Sequence, residues 1–408
     1  MAAASENTFV QTANGLAGTM SDLRRDFHRH PELGMKEVRT SGIVADYCRN
    51  LGLDVRTGVG NTGVVAVLHV RQGAPCVAIR ADMDALPMSD KKNAAYASTE
   101  PGVAHACGHD ANTAILLGTA EMLTRHSDLL TGNVKFIFQP SEDTVPGGAL
   151  PMIEDGALEN PDVHGILTSH LMPDYDEGVI AVKSGYSTIS SAGFVLKMLG
   201  KGGHAAYPHL INDPVVMAGH AITAAQAIVS RRVDPQDPTI LCFSSVHGGT
   251  ADNIIPDEVV LTGTIRTLKP EARGELARLL DDVAAGAARM GGGRHALDVK
   301  MEYPSVYNHT VMVEEFLASA RRIAAPDRVI HEDRPTMSGE DVSYFHQRVP
   351  GVRWLLGIRN EELGFTHSLH SPLFDFNESV MPLAAAVHAQ SAADFLANRL
   401  DTNLSPEI

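Results

Sequence analysis

Within six residues, His105-Ala106-Cys107-Gly108-His109-Asp110, the chain places a thiol, two imidazoles and a carboxylate. Gly108 leaves the backbone free to turn between Cys107 and His109. The stretch from Ala111 to Leu117 that follows reads as the first turns of an apolar helix. Thiolate and imidazole donors at a helix start are what a divalent transition metal such as zinc or manganese takes. Taken alone, the hexapeptide also fits a half-buried cysteine flanked by surface histidines.

The pattern recurs along the chain. Runs 63–70 and 76–80 are continuous and apolar, as strands buried on both faces of a sheet are. The second run leads into Asp82 and Asp84, at the strand end where α/β sheets gather their chemistry. A helix over Ala114–Arg125 precedes a strand over Asn133–Phe138, which ends in Gln139-Pro140-Ser141-Glu142-Asp143. One of those adjacent acids can hold a metal while the other reaches a substrate. A strand over Gly165–Ser169 then delivers His170. Each pair alone could be a solvated turn. Four successive strand or loop ends carrying Asp82/Asp84, Cys107/His109, Glu142/Asp143 and His170 point instead to one site at one sheet edge.

The surrounding elements must hold that edge in place. At 408 residues the chain exceeds one ordinary core. Helices are expected over Asn7–Phe27 and Glu37–Leu51, with Pro31 and Gly34 breaking the chain between them and His28 and His30 read as caps or surface residues. From 190 to 303 the order becomes strand 193–199, helix 213–232, strands 239–246 and 258–268, helix 270–290 and strand 295–302. That β-α-β-β-α-β order is the ferredoxin-like split βαβ, here inserted into the first domain. After Pro304 come a helix over Val311–Ala325, a strand over Val352–Leu356, a His-rich loop at 366–372 and a closing helix over Ser379–Ala397, with the last seven residues expected loose. The expected architecture is α/β: a catalytic domain with a central mixed sheet from 1–189 and 304–408, interrupted by a smaller domain at 190–303.

A hydrophobic content of 44% with 20% charged residues is that of a soluble globular protein. The net charge of −16, with no basic run to offset it, excludes nucleic acid and anionic membranes as partners. Residues 1–18 show no secretory signal, and no apolar run approaches the ~18 residues of a membrane span. Four scattered cysteines fit a reducing compartment, so a cytoplasmic location is expected. Isolated histidines such as His69, His126, His164, His220, His247, His331 and His388 are expected to be structural, with His105 and His367 intermediate.

Further stretches carry a family resemblance: RRDFHRHPELGMKE (24–37), AIRADMDALP (78–87), GVAHACGHD (102–110), QPSED (139–143), GKGGHAAYPH (200–209), NIIPDEVVLTGTIRT (253–267), SGEDVSYF (338–345) and LHSPLFDFNE (369–378). In this order they resemble the M20 metallopeptidases, specifically the M20D amidohydrolases that include hippurate hydrolases, aminoacylases and auxin-conjugate hydrolases. The resemblance implies two divalent metal ions, zinc or manganese, held by Cys107, His109, Asp143, His170 and His370. It implies Glu142 as general acid/base, Asp84 as a carboxylate orienting the cluster, and His204 and Asn253 as oxyanion and substrate contacts. It also implies that the inserted domain is a lid and forms a homodimer. Arg266 could hold a substrate carboxylate or be an ordinary strand arginine. Two departures stand out: Asp143 replaces the family's usual Glu, and Asn112 the usual His, with Ala104 where Met is common.

The expected reaction is hydrolysis of the amide of an N-acyl amino acid or related small molecule, Glu142 moving the proton from water to the leaving amine. The alternatives are another C–N bond, in an aromatic amine or carbamoyl group, and a non-catalytic binding protein.

Overall fold

The structure, a computed structural model, describes residues 7–399 and 404–407. The N-terminal helical stretch forms two helices rather than the single one expected, α1 (Thr8–Gly15) and α2 (Ala17–Arg29), parted at Leu16. Gly15 and Gly18 weaken helix propensity around that break. α3 (Val38–Asn50) leads into β1 (Asp54–Val59), β2 (Gly63–Leu68) and β3 (Cys76–Asp82). Next come α4 (His109–Arg125), β4 (Asn133–Gln139), α5 (Ala149–Glu154), β5 (Gly165–Asp176), β6 (Ile180–Val182) and β7 (Gly185–Tyr186). The middle of the chain holds β8 (Ser190–Leu199), β9 (Gly203–His204), α6 (Pro214–Arg232), β10 (Thr239–His247), β11 (Ile254–Ile255), β12 (Glu258–Thr267), α7 (Ala272–Met290) and β13 (Arg294–Met301). The chain closes with β14 (Tyr307–Asn308), α8 (Thr310–Ile323), β15 (Val329–His331), α9 (Ser343–His346), β16 (Gly351–Arg359) and α10 (Met381–Asn398).

These elements divide into two compact units, one of Met1–Ser187, Val306–Pro335 and Glu340–Ile408, the other of Thr188–Ser305 and Thr336–Gly339. The first unit carries an eight-stranded mixed sheet in the order β1-β2-β4-β3-β5-β16-β6-β15. Its middle, β4-β3-β5-β16, is parallel throughout, so these strands end at the same edge. β3 and β4 are buried at every residue, which explains their mainly apolar sequence, and Arg80, Lys135 and Gln139 within them are hydrogen-bonded. α4 and α10 are also buried around most of their circumference, and the many alanines of α10 let it lie close to its neighbours.

Two element ends differ from expectation at places that matter for the site. α4 starts at His109, two residues before the apolar stretch from Ala111 read as its first turns and five before the Ala114 bound, because Gly108 at φ +89° turns the chain into it. Strand β5 does not stop before His170 but runs through it to Asp176, with His170 opposite Leu355 of β16. Of the last seven residues, Thr402, Asn403 and Ile408 lie outside the described residues, as do residues 1–6 of the N-terminal stretch. Glu407 is not loose: it accepts hydrogen bonds from Thr310 N and Oγ1, both at 3.0 Å.

The second unit has a four-stranded antiparallel sheet in the order β10-β12-β8-β13, with buried residues of α6 and α7 packed on it. Asp213 caps α6 by accepting from Val215 N and Val216 N, and Pro214 occupies the first turn. No helix among the described residues is long and apolar enough to cross a membrane.

Two histidines are folded in as neutral rings. Burial lowers His346 to about 4, its Nδ1 donating to Tyr307 O at 2.9 Å, and burial lowers His388 to about 3. The unfolded chain protonates such rings below about pH 6.5, while the folded chain refuses the proton until far lower pH. Stability is therefore full above pH 6.5 and falls as pH drops toward 4. His346→Asn keeps a donor for Tyr307 but cannot titrate. Urea unfolding between pH 7 and 4 should show a shallower acid slope in that variant, by up to ~3 kcal/mol across the window.

Candidate metal centre

β3 ends at Asp82, and β4, in register beside it, ends at Gln139 opposite Asp82. The loops leaving these two ends carry Asp84 and the pair Glu142 and Asp143. Asp84 organises them: its Oδ1 accepts from Glu142 N at 2.9 Å and its Oδ2 from Asp143 N at 3.0 Å. Ser141, at φ +52°, is held by its N–H donating to Oε1 of buried Glu37 at 2.9 Å. Gly34 lies so close that a Cβ there would sit 2.6 Å from Ser141 Oγ.

From the other side come Cys107 and His109. A Cβ on Gly108 would meet Leu171 Cδ1 at 2.8 Å, so both its positive φ and its packing demand glycine. His109 Nδ1 donates to Asp84, with the carbonyl O at 2.9 Å and Oδ1 at 3.2 Å, which leaves Nε2 as the lone-pair nitrogen. His170 Nδ1 donates to Leu171 O at 2.7 Å, so its Nε2 faces Cys107 Sγ at 3.5 Å. His370 sits at φ +62°, a left-handed conformation costly for a residue with a side chain, and its N–H bonds Ala106 O at 2.8 Å.

The ligand atoms of Cys107, His109 and His170 lie within 4.8 Å of one another, and so do those of Cys107, Asp143 and His370. All five residues named from the resemblance thus form two triads that share Cys107. His109 Nε2 and Asp143 Oδ2 are buried without a hydrogen-bond partner, though 3.9 Å apart. Leaving such atoms unmatched is costly unless something binds between them. Thiolate, imidazole and carboxylate donors at this spacing fit divalent transition metals. Burial and the Asp143 charge push the Cys107 thiol up, but His109 and His170 outweigh them and bring it down to about 7.

Glu142 belongs to neither triad; its Oε2 is 3.8 Å from His109 Nε2. Burial, then the charges of Glu340 and Asp143, raise its carboxyl well above the ordinary range. A buried carboxyl with high proton affinity at the rim of a donor cluster is placed to move protons.

Arg80, Arg353, Glu340 and Asp341 have no role in the sequence reading. Arg80, fully buried, contacts Asp82 at 2.7 Å, Asp341 at 3.1 Å and Glu340 at 3.3 Å, and Arg353 adds a 3.2 Å contact to Glu340. Glu340 and Asp341 stood within the SGEDVSYF stretch without a role. Asn112 donates from Nδ2 to Asp82 Oδ1 at 2.8 Å inside the protein. His28 is no surface cap: it is buried, 2.6 Å from Asp110 Oδ2 and 3.2 Å from Asp90 Oδ2. His105 is buried as well, and burial lowers it to about 3.

His204, Asn253 and Arg266 lie on the second unit. His204 pairs with Ile254, and Asn253 O accepts from Ala205 N at 3.0 Å, so His204 and Asn253 share one two-stranded ribbon. Arg266 sits apart on β12 and donates to Met337 O at 2.9 Å.

Residues 78–394 match the model of Peptidase family M20/M25/M40. YhaA of Bacillus subtilis (strain 168) is 37% identical over 382 residues, covering 94% of this chain and 96% of its own. Thermostable carboxypeptidase 1 of Saccharolobus solfataricus is 38% identical over 379 residues, 91% of this chain and 94% of its own. Among solved structures, the Bacillus subtilis YXEP protein, described as a dinuclear metal-binding peptidase of the M20 family, superposes with a TM-score of 0.82 at 30% identity, over 94% of this chain and 99% of that one.

Asp84 anchors three site residues through one carboxylate, so its loss should act on all of them. Asp84→Asn replaces an acceptor with an amide facing Asp143 N–H. Metal affinity, read by competition with a chromogenic chelator, is expected to fall about ten- to a hundredfold while the fold persists by circular dichroism.

Proposed function

The chain belongs to peptidase family M20/M25/M40 and is a hydrolase acting on C–N bonds; from that premise we propose that it cleaves the amide of an N-acyl amino acid or a related small amide. The observation that carries this reading is the pair of triads sharing Cys107, with the Glu142 carboxyl 3.8 Å from His109 Nε2. Cys107, His109 and His170 would hold one divalent ion, and Cys107, Asp143 and His370 the other. The dinuclear site named for the Bacillus subtilis YXEP protein supports two ions rather than one. When bound, they supply Lewis-acid polarisation of the amide and a more acidic water.

The chain's own residues do the rest. Glu142 takes a proton from water as it attacks the carbonyl carbon and returns that proton to the leaving amine nitrogen. Asp84 keeps the Glu142 and Asp143 backbone and the His109 ring in place throughout. His204 is proposed to donate to the oxyanion, and Asn253 and Arg266 to contact the substrate. The second unit is proposed as an inserted ferredoxin-like lid and dimerisation domain, a reading supported by its β-α-β-β-α-β element order. A cytoplasmic location is proposed from the unpaired cysteines, with Cys107 needed as thiolate.

The carboxypeptidase name of the Saccharolobus relative favours an amide beside a carboxylate over an aromatic amine or carbamoyl group. Of the two departures that motivate another C–N bond, Asn112 and Asp143, Asn112 turns inward to Asp82 and gives that alternative no support.

The deciding experiment measures metal per chain and amine release from N-acetyl, N-benzoyl and peptide substrates. Glu142→Gln should keep the metal content of the unaltered protein while kcat falls about 10²–10⁴-fold. Amine release that survives this substitution would remove Glu142 from the mechanism. His204→Ala should lower kcat without changing metal content, and unaltered kinetics would take it out of the site.

A further inference from the structure

Arg24 of α2 is completely buried, yet it faces three carboxylates from remote parts of the chain. Its Nε contacts Asp110 Oδ2 at 2.9 Å, its Nη2 Asp375 Oδ1 at 3.0 Å and its Nη1 Glu378 Oε1 at 3.1 Å. The guanidinium also lies 4.9 Å from the Tyr96 ring centroid and 4.8 Å from that of Phe376. Asp110 directly follows His109, whereas Asp375 and Glu378 follow His370 by five and eight residues. One side chain therefore ties the segment of the closed triad to the segment that brings in His370.

The two segments need such a tie unequally. His109 and His170 are buried, in a helix and a strand that fix them. The His370 side chain is 55% exposed, its backbone is left-handed, and it lies in no helix or strand. What holds its segment is the His370 N–H on Ala106 O, Lys91 N–H on Pro372 O, Lys92 Nζ on Phe374 O, and the acids on Arg24. Tyr96 Oη adds a bond to Asp375 Oδ2 at 2.7 Å.

We infer that Arg24 is a positioning residue that keeps His370 at the Cys107–Asp143 side, and so sets the affinity of the second metal position while leaving the first nearly untouched. This rests on the two-ion reading of the site. The contacts on Arg24 act through the backbone of 370–378, and Arg24 itself touches none of the proposed ligands in the hydrogen bonds and ion pairs described above.

Arg24 variants would take the one fully buried cation from Asp110, Asp375 and Glu378, leaving them His28, Tyr96 and Arg25, and could fail to fold, so the test alters its partners on the His370 side. Asp375→Asn and Glu378→Gln each keep an acceptor oxygen but lose the charge. Asp394→Asn, which loosens an ion pair with Arg322 between α8 and α10, is the control for general destabilisation. Full-length proteins are stripped of metal, loaded with cobalt at graded free concentrations and assayed for metal per chain, with the thiolate-to-cobalt absorption as the reporter of Cys107.

The unaltered protein should fill two positions, whereas Asp375→Asn and Glu378→Gln should fill the first normally and the second about ten- to a hundredfold more weakly. The thiolate absorption should persist, and the Asp394→Asn control should match the unaltered protein. Variants that fill both positions like the unaltered protein would overturn the inference. So would loss of both positions in parallel with a lower melting temperature. An unaltered protein that binds one ion or none would instead sink the two-ion reading itself.

Discussion

The site depends on the handling of buried negative charge. A carboxylate taken out of water is costly unless a cation or several donors face it, and this interior holds many. Two arginines share the task. Arg80 faces Asp82, Glu340 and Asp341 on the sheet side, and Arg24 faces Asp110, Asp375 and Glu378 on the helix side. Each is fully buried and each meets three acids, so neither cluster is neutralised by its arginine alone. Proton affinity is raised in part of the cluster: burial, working against Arg80, lifts Asp341 to about 7, and burial with the Glu340 charge raises Glu142 above the ordinary carboxyl range. Asp82 of the Arg80 cluster also comes within 3.8 Å of His109 Nε2, among the donor atoms where a divalent cation would add to the balance.

The parts written in apolar pattern are readable from the sequence. Buried strands β3 and β4 show as mainly apolar runs, and the acids at and beyond their ends show as a departure from that pattern. The two helices and four long strands of 190–303 follow one another clearly enough to be read in order, whereas the two-residue strands β9 and β11 are not legible. What could not be read is what depends on contact between distant residues. His28 and Arg24 look like surface residues of a polar helix, because nothing local reveals Asp110, Asp90 or Asp375 opposite them. Glu340 and Asp341 lie within a recognisable stretch but acquire meaning only through Arg80, some 260 residues earlier in sequence. Boundaries failed where one backbone angle decides them: Gly108 starts α4 at His109, and the pairing of β5 with β16 carries the strand past His170.

The two triads differ in kind although they share a cysteine. Cys107, His109 and His170 are all buried, and both rings are locked through Nδ1 to backbone or carboxylate acceptors. The other triad is open: Asp143 is partly exposed, and His370 more than half so. A closed set with fixed tautomers holds its geometry without help from what binds there. An open set built on a loop must be held from outside, and the left-handed backbone of His370 is strain that only surrounding contacts can sustain. The acidic residues behind that loop would thus count for as much at a second metal position as the side chains proposed to bind there.

The two departures from the family pattern fall on different walls of the site. Asp143 reaches one methylene less far than the usual glutamate, yet its Oδ1 still comes within 3.4 Å of His370 Nε2. Its backbone N–H is pinned by Asp84, so the shorter side chain starts from a fixed point. Asn112 stands on the inner face of α4 and offers its amide to Asp82, which also receives Arg80. A histidine there could supply the same donor but could also take up a second proton beside Asp82 and His109; an amide cannot. The exchange keeps the hydrogen bond and removes a titratable ring from the most buried side of the cluster. Asn112 therefore alters how the cluster is held and charged from behind, whereas Asp143, itself one of the candidate donors, alters the reach of a donor.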